Sequence, residues 1–319
     1  MSVNKNDTIF VAGHRGMVGS AIYRKLQNEG FTNLLTQTRE ELDLRNQDAV
    51  YRFFEKEKPD VVIIAAAKVG GILANDRYPY SFLHENLIIE DNLIHASHSN
   101  GAEKLIFLGS SCIYPKFADQ PISEDSLLTD VLEPTNQWYA IAKIAGVKLV
   151  ESLRIQYDRD YISLMPTNLY GPGDNFDLET SHVLPAMLRK FHEAATNNHE
   201  PVTLWGTGSP MREFLHVDDF ADAVSFVLRN KMDHHLYNIG TGKDITIANL
   251  AKKIQAITGH EGEIIWDTDK PDGTPRKLLD VTKMANEGWT HNIGLDEGIQ
   301  KTYQWFENNI ENIREVDMS

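Results

Sequence analysis

Residues 8–28 constrain the fold more than any other stretch. Thr8-Ile9-Phe10-Val11-Ala12-Gly13 is a short apolar run that reads as a buried strand. It leads into Gly13-His14-Arg15-Gly16-Met17-Val18-Gly19, after which Ser20 to Asn28 reads as a helix. Strand, glycine turn and helix in that order form a pyrophosphate cradle. The glycines permit a tight turn and close approach of backbone, and the helix N-terminus faces the negative charge. A glycine-rich segment that is only a turn is the competing reading, and the flanking strand and helix weigh against it. The stretch predicts a dinucleotide site.

The next hundred residues extend this unit. Leu34 to Thr38 is the expected second strand, with Arg39 at its end. An acidic residue there accepts from the ribose hydroxyls of NAD, whereas an arginine accommodates the 2′-phosphate of NADP. Arg39, with Arg15 in the glycine turn, favours NADP. Glu40 and Glu41 come next and are expected to face solvent or cap the next turn. Asn46 to Lys58 reads as a helix stopped by Pro59. Asp60 to Ala67 reads as a strand running into small residues, and Ala66 and the loop from Lys68 leave room for a cofactor over its end. Tyr80 to Ser99 is a long helix and Lys104 to Gly109, through Leu108, a fourth strand. Asp160 to Met165 is another strand. It empties into Pro166-Thr167-Asn168-Leu169-Tyr170-Gly171-Pro172-Gly173, expected as a loop over the nicotinamide. Strands separated by helical patterns of about 10–15 residues imply βαβ units and a parallel sheet. Ligands of such sheets lie beyond the carboxyl ends of the strands.

Polar groups gather at those ends. Gly109-Ser110-Ser111-Cys112-Ile113-Tyr114-Pro115 follows the fourth strand. A hydroxyl there can bind a substrate oxygen, although Ser110 and Ser111 could equally satisfy backbone groups in a turn. After the irregular segment from Asp119 to Asn136 comes Trp138-Tyr139-Ala140-Ile141-Ala142-Lys143. On a helix, Tyr139 and Lys143 share a face. A neighbouring ammonium favours the phenolate, so Tyr139 is expected to pass a proton near neutral pH. Cys112 is the only cysteine. A buried small hydrophobe is its usual role, but its position past a strand end raises a functional one.

Composition narrows the class. A length of 319 residues suggests about two domains. A formal charge of −15 disfavours non-specific nucleic-acid binding. No apolar run is long enough for a transmembrane helix. One cysteine allows no intrachain disulfide, and the polar start lacks a secretory core, so a cytoplasmic enzyme is expected. No His, Cys and Asp spacing supports a metal site.

The second half reads as strands and helices around scattered cations. Thr180 to Pro185 starts a helix that runs to Thr196, with His182 a possible cap partner. Pro201 to Gly206 is a strand and turn in which Trp205 either stacks on a base or belongs to the core. Arg212 and Lys190 could clamp phosphate or form surface salt bridges. Asp218 or Asp219 is expected to cap the helix that ends at Arg229. Leu236 to Gly240 is a strand returning to the first half. Beyond it lie helices over 246–257 and 295–309 and a strand over 263–266. In the loop over 270–280, Asp272 could accept from a ribose or base edge, and Lys277 could approach phosphate or only solvent. The tail from 310 to 319 is polar.

Gly13-x-x-Gly16-x-x-Gly19, Ser110 and Tyr139-x-x-x-Lys143 together resemble the extended short-chain dehydrogenase/reductase family. Nucleotide-sugar epimerases and dehydratases belong to it. Further stretches resemble its members that convert GDP-4-keto-6-deoxy-D-mannose by 3,5-epimerisation and NADPH-dependent 4-reduction. These are Gly13 to Gly19, Ala66 to Ile72, Gly109 to Pro115, Pro166 to Pro172, Ser181-His182-Val183, Met211 to Asp219 and Pro271 to Lys277. The likeness runs from about Thr8 to about Phe306, without a departure in these motifs.

That resemblance implies an α/β fold, a Rossmann-type doubly wound parallel sheet with a smaller mixed α/β C-terminal substrate domain. The cofactor domain is expected over 1–175 plus about 213–240, and the substrate domain over about 176–212 plus 241–319. Ser110, Tyr139 and Lys143 would form the reductase centre, and Cys112 and His182 would handle the epimerisation protons. Lys143 and His182 would also touch NADPH, as would Ala66, Lys68, Leu108, Pro166, Thr167, Asn168 and Leu169. Ser110, Ser111, Cys112, Asn168, Lys190, Trp205, Arg212, Asp272 and Lys277 would contact the GDP-sugar. A homodimer is implied as well, through two helices of the first half.

The chemistry suits these residue types. C3 and C5 both flank the C4 ketone, so removing either proton gives an enolate with charge on the C4 oxygen. Hydroxyls of Ser110 and Tyr139 would stabilise it. Inversion needs a base on one face and an acid on the other, and a cysteine and a histidine have suitable acidities. A 4-epimerase or 4,6-dehydratase is the alternative within enzymes. A dehydratase is expected to place an acidic pair where this chain has Ser111-Cys112. A non-catalytic NADP sensor on the same fold is the alternative outside them, and would be expected to lose Tyr139 or Lys143.

Overall fold

The first element of the chain is already buried on both faces. Ile9, Phe10, Val11 and Ala12 are each no more than 1% exposed, as a strand inside a parallel sheet covered by helices must be. The computed structural model describes residues 3–178, 180–270 and 272–312, so 313–319 of the polar tail lie outside the described residues. In chain order the first half comprises β1 (Ile9–Ala12), α1 (Met17–Asn28), β2 (Leu34–Leu35), α2 (Gln47–Glu57) and β3 (Val61–Ile64). It continues with α3 (Ile72–Arg77), α4 (Pro79–Ser99), β4 (Lys104–Leu108), α5 (Gln137–Tyr157) and β5 (Asp160–Pro166). The second half comprises β6 (Asn168–Tyr170), α6 (Val183–Thr196), β7 (Val202–Trp205), β8 (Met211–His216), α7 (Val217–Arg229) and β9 (Leu236–Ile239). It ends with β10 (Asp244–Thr246), α8 (Ile247–Thr258), β11 (Ile264–Asp267), β12 (Arg276–Lys277), α9 (Thr282–Asn286) and α10 (Leu295–Asn309).

Six strands form one parallel sheet in the order β2-β1-β3-β4-β5-β9. Side-chain alternation along β1 divides the core in two. Ile9 and Val11 join Ile22 and Leu26 of α1 and Phe220 and Val224 of α7 on one face. Phe10 joins Phe54 of α2, Leu93 of α4 and Val147 of α5 on the other. The doubly wound sheet expected from the sequence is therefore present. The strand order reverses between β1 and β3, and the crevice beyond their carboxyl ends is where such sheets bind ligands.

The second half builds smaller sheets beside it. β8 pairs with β10, β12 and β6, and β7 pairs with β11. A third apolar cluster joins Tyr170 and Phe176 to Leu188 and Phe191 of α6, Ile254 of α8 and Phe306 of α10. The expected loop over 166–173 thus contains β6, paired in parallel with β8, and the loop over 270–280 contains β12. Both strands are too short to show alternation and form because β8 offers them partners. β2 covers two residues instead of five. The cap of α7 is His216, whose Nδ1 accepts from the Asp218 amide at 3.2 Å. Asp219 instead accepts from the amides of Asn292 and Ile293.

One buried carboxylate ties these parts together. Glu213 on β8 is inaccessible to solvent, and its carboxylate accepts from the amides of Thr241, Gly242 and Leu279. Its main-chain carbonyl accepts from Asn168 Nδ2 at 2.8 Å and Thr167 Oγ1 at 3.2 Å. The end of β5 and the segment leaving β12 are thereby fixed to one residue of β8.

Candidate active site

The glycine turn is shaped by what surrounds each glycine. Gly13 has φ +88°, and a Cβ there would lie 2.7 Å from the Ala66 nitrogen. A Cβ on Gly19 would lie 2.1 Å from the Gly13 oxygen. Both positions are closed by the protein's own backbone. Gly16 differs: a Cβ there would meet only the Gly13 oxygen, at 3.5 Å, so this glycine faces open space. Gly16 is also the N-cap of α1 and supplies no side-chain acceptor to its first amides. The buried His14 Nδ1 has no partner. Open amides at a helix start and a side-chain-free approach fit a dinucleotide pyrophosphate.

The ends of the neighbouring strands complete the cradle. Arg39 is exposed in the turn after β2, and Arg15 lies 3.9 Å from Glu40. The Glu40 carboxyl is held below its ordinary range by its own backbone and Thr38, then by Arg15 and Arg39. Glu41 accepts from the Thr38 amide at 2.8 Å and so closes the turn. Past β3, the Lys68 amide donates to Asn86 Oδ1 at 2.8 Å, while Asn86 Nδ2 donates back to the Lys68 carbonyl at 3.0 Å. The Lys68 ammonium pairs with Glu85 at 2.7 Å.

Lys143 is 1% exposed on α5. Its Nζ lies 2.9 Å from Glu90 Oε1 on α4 and donates to the Leu108 carbonyl at 3.1 Å. The ammonium stands 4.7 Å from the Phe107 ring centroid and 5.6 Å from that of Tyr139. The sequence shows Tyr139 beside a cation, with a phenol more acidic than usual. The structure reverses that expectation. Burial, Cys112 and Glu90 push the Tyr139 phenol well above its ordinary value. The cation is already matched by a carboxylate that the sequence does not point to, because Glu90 lies some fifty positions upstream on another helix.

Ser110 caps a 3-10 turn at Ser111–Ile113, its Oγ accepting from the Cys112 amide at 3.3 Å. Burial pushes the Cys112 thiol up, while Lys277, Ser110 and Lys143 pull it down. His182 occupies the N-cap position of α6 but makes no side-chain cap bond, so its ring is not spent on the helix. It is exposed to solvent. Crowding by protein and the charge of Lys277 hold its imidazole below the ordinary value. Lys277 is thus the charged neighbour common to Cys112 and His182. The sequence leaves it at phosphate or in solvent; β12 turns it toward these two groups.

The remaining cations differ from ordinary surface residues. Lys190 donates to the Thr203 carbonyl at 3.2 Å and Arg212 to the Met211 carbonyl at 2.7 Å. Among the described residues, neither has a carboxylate within salt-bridge distance, and burial pulls both down. The salt-bridge reading for them is overturned. Trp205 is 58% exposed, with the Lys270 ammonium 5.7 Å from its ring centroid, so it is not a core residue. Asp272 bonds the amide and hydroxyl of Thr207 at 2.9 and 2.7 Å, which orders the loop beside Trp205.

A parallel sheet with a glycine cradle at its switch point, and a Tyr-x-x-x-Lys helix beside it, defines a nucleotide-cofactor enzyme of the short-chain type. The chain belongs to the NAD dependent epimerase/dehydratase family, whose model matches residues 9–240. It is 58% identical to GDP-L-fucose synthase 1 of Arabidopsis thaliana over 307 residues, covering 96% of this chain and 95% of that protein. It is 54% identical to the GDP-L-fucose synthase of Escherichia coli (strain K12), covering 96% of this chain and 98% of that one. A crystal structure of a GDP-L-fucose synthetase from Naegleria fowleri bound to NADP superposes with a TM-score of 0.91 at 28% identity, covering 99% of this chain and 97% of that chain.

The geometry sets two expected outcomes. Gly16→Ala is expected to fold normally but lose NADPH affinity by about tenfold or more, whereas Gly19→Ala is expected to destabilise the protein itself. Thermal melts with and without NADPH separate the two; equal behaviour would refute the distinction. Lys277→Met removes a positive charge beside Cys112, so the pH midpoint for alkylation of this single thiol is expected to rise, by on the order of one unit. A midpoint that stays put or falls would remove Lys277 as its electrostatic neighbour.

Proposed function

We propose that this chain is a GDP-L-fucose synthase: it inverts C3 and C5 of GDP-4-keto-6-deoxy-D-mannose and reduces C4 with NADPH. The carrying observation is the convergence of one thiol, one uncommitted imidazole and a tyrosine hydroxyl at the strand ends, with Lys277 facing two of them. Kinship with GDP-L-fucose synthases over nearly the whole chain supports the same substrate and cofactor. Residues 1–175 with about 213–240 would hold the cofactor, and about 176–212 with 241–319 the GDP-sugar. Three apolar clusters, two on the central sheet and one in the second half, support that division except over 279–289, where Leu279, Met284 and Trp289 pack into the clusters on the central sheet.

On this reading the glycine turn and the loop at Lys68 hold the pyrophosphate of NADPH, and Arg15 and Arg39 hold its 2′-phosphate. Leu108, Pro166, Thr167, Asn168 and Leu169 line the nicotinamide side. Bound NADPH supplies the hydride for C4. Lys190 and Arg212, cations without a carboxylate partner among the described residues, receive the GDP phosphates, and Trp205 offers its exposed face to guanine. Ser110 and Tyr139 donate to the C4 oxygen, where charge develops during enolisation. The resting site holds a protonated thiol at Cys112 and a neutral imidazole at His182. One donor and one acceptor of protons therefore stand ready for inversion. Tyr139, still a phenol, gives its proton to the C4 alkoxide once the ketone is reduced.

A 4-epimerase or dehydratase regenerates its cofactor, so lasting NADPH consumption distinguishes this proposal. Incubation with GDP-4-keto-6-deoxy-D-mannose and NADPH in D2O is expected to oxidise NADPH and to place deuterium at C3 and C5. Cys112→Ser and His182→Asn are expected to block deuterium entry while NADPH still binds. Interconversion of sugars without lasting loss of absorbance at 340 nm would overturn the reading.

The homodimer implied by the resemblance belongs to the same proposal. A groove of about 500 Å³ between α4 and α5, lined by Leu87, Ala145, Gly146 and Leu149 and by the charged Glu90, Asp91 and Lys148, is the surface on which a second copy would seat its own helix pair. A single unpaired cysteine suits a reducing compartment such as the cytoplasm. Sedimentation at micromolar concentration is expected to give twice the chain mass of 36.1 kDa, and a monomer would refute the assembly.

A further inference from the structure

The turn from Ala66 to Ile72 stands out in the sequence, yet the proposed reaction uses only its Lys68 end. That end is held by Asn86 of α4, which bonds both the amide and the carbonyl of Lys68. The other end has its own anchor. Asn75 on α3 is 4% exposed, and its Nδ2 donates to the Gly70 carbonyl at 2.8 Å and to the Gly71 carbonyl at 3.0 Å. The Gly71 amide in turn donates to the Thr180 carbonyl at 3.1 Å, two residues before His182. Gly71 has φ −63° and ψ 177°, a conformation open to any residue. Close approach is what requires glycine here: a Cβ would lie 3.1 Å from the Thr180 oxygen and 3.3 Å from the Ser181 oxygen.

The segment across this contact is tied internally. Asp177 Oδ1 accepts from the amide and from the hydroxyl of Thr180, each at 2.8 Å. Asn175 Nδ2 donates to Thr180 Oγ1 at 3.0 Å, and the Ser181 amide donates to the Asp177 carbonyl at 3.2 Å. Residues 175–181 thus form a bonded turn that meets the cofactor side through Gly71. His182 follows as the N-cap of α6, exposed and without a side-chain cap bond. Its ring therefore takes its place from the backbone that carries it. A group that exchanges protons with carbon must be placed closely, since an error of about 1 Å can cost about 100-fold in rate.

We propose that Asn75 is a positioning residue for His182: by holding Gly70 and Gly71 it sets the Gly71 amide against Thr180, and so fixes the turn from which the imidazole reaches the substrate. The inference deepens the proposed function and rests on it for the proton-carrying role of His182. The contact itself belongs to the free protein. It divides the turn after β3 into two parts with separate anchors. Lys68, fixed by Asn86 and Glu85, serves the cofactor, whereas Gly70 and Gly71, fixed by Asn75, serve the epimerisation centre. Loosening the second anchor is therefore expected to spare NADPH binding. It lets the imidazole drift from the protein that crowds it and from Lys277 of β12, the charged group that acts on it.

The test reads the imidazole in the free, full-length protein. Histidine labelled with carbon-13 at Cε1 gives one signal per ring, and the signal missing from His182→Asn is that of His182. Its wild-type midpoint is expected below about 6.5, the value of an ordinary imidazole. A wild-type midpoint at that value would show a ring held against nothing and would overturn the proposal. Two variants loosen the contact from different sides. Asn75→Ala removes the donor that holds the turn, and Gly71→Ala sets a methyl group against the Thr180 oxygen without backbone strain. In both, the His182 midpoint is expected to rise toward about 6.5. A midpoint that stays put in Asn75→Ala would overturn the proposal, and should that variant not fold, Gly71→Ala decides in its place. With GDP-4-keto-6-deoxy-D-mannose and NADP+ in D2O no hydride is available, so deuterium entry at C3 and C5 reads proton transfer alone. In Asn75→Ala its rate is expected to fall by about tenfold or more, with the NADPH dissociation constant at its wild-type value. Equal losses in the two, as a purely structural role would give, would overturn the assignment. A wild type that takes up no deuterium would remove the functional reading, while the titration of His182 would still decide the role of Asn75.

Discussion

A lysine ammonium buried to 1% exposure must be held by its surroundings, and much of this site follows from how Lys143 is held. Its partners come from two elements: Glu90 from α4, and the Leu108 carbonyl and Phe107 ring from the end of β4. Breaking a buried ion pair by removing one partner costs about 3–5 kcal/mol, because the other charge is left uncompensated. The pair therefore couples the two long helices to the sheet at the strand end where chemistry is expected. Gly146 completes the arrangement by letting α4 and α5 approach closely over Glu90. Tyr139, one turn before Lys143, inherits its position from this contact.

The strand that carries Lys277 depends on a second buried carboxylate. Glu213 receives three backbone amides, which places the segments around Thr241 and Leu279 against β8. β12 lies just before Leu279 and pairs with β8 in register Lys277 to Arg212. Side chains alternate across a strand. Arg276 meets Asp244, and Lys277 turns inward toward Cys112 and His182. Glu213 touches none of the reacting groups, yet it holds the strand that carries their common charged neighbour.

The legible parts of the sequence are those whose signal is local. The glycine turn, the apolar runs of β1, β3 and β4, and the helices over 47–57 and 295–309 all follow from patterns within a few residues. Tyr139 and Lys143 share a helix, so their spacing alone brings them together. Strands β6, β10 and β12 are not legible, because each is two or three residues long and owes its existence to β8. The acidity of Tyr139 is misjudged from sequence for the same kind of reason. The near cation is visible there, but the burial that raises the phenol, to which a carboxylate on a distant helix adds, is not. His216 as the cap of α7 is likewise hidden behind the more usual aspartates that follow it.

Neutrality of the resting groups bears on how one site could carry two kinds of chemistry. On the proposed reading, enolisation at C3 or C5 and reduction at C4 all place negative charge on the same C4 oxygen. A permanently ionised tyrosine would repel that charge and could not donate to it. A phenol kept protonated by burial does the reverse: it stabilises each enolate through a hydrogen bond and still has a proton to give at the last step. The thiol and the imidazole obey a different requirement, because they must exchange protons with carbon. They sit beside a cation, Lys277, that is not balanced by a carboxylate within salt-bridge distance among the described residues. Lys277 and, from behind Tyr139, Lys143 both pull the Cys112 thiol down against the burial that raises it, and Lys277 adds to the burial that lowers the His182 imidazole.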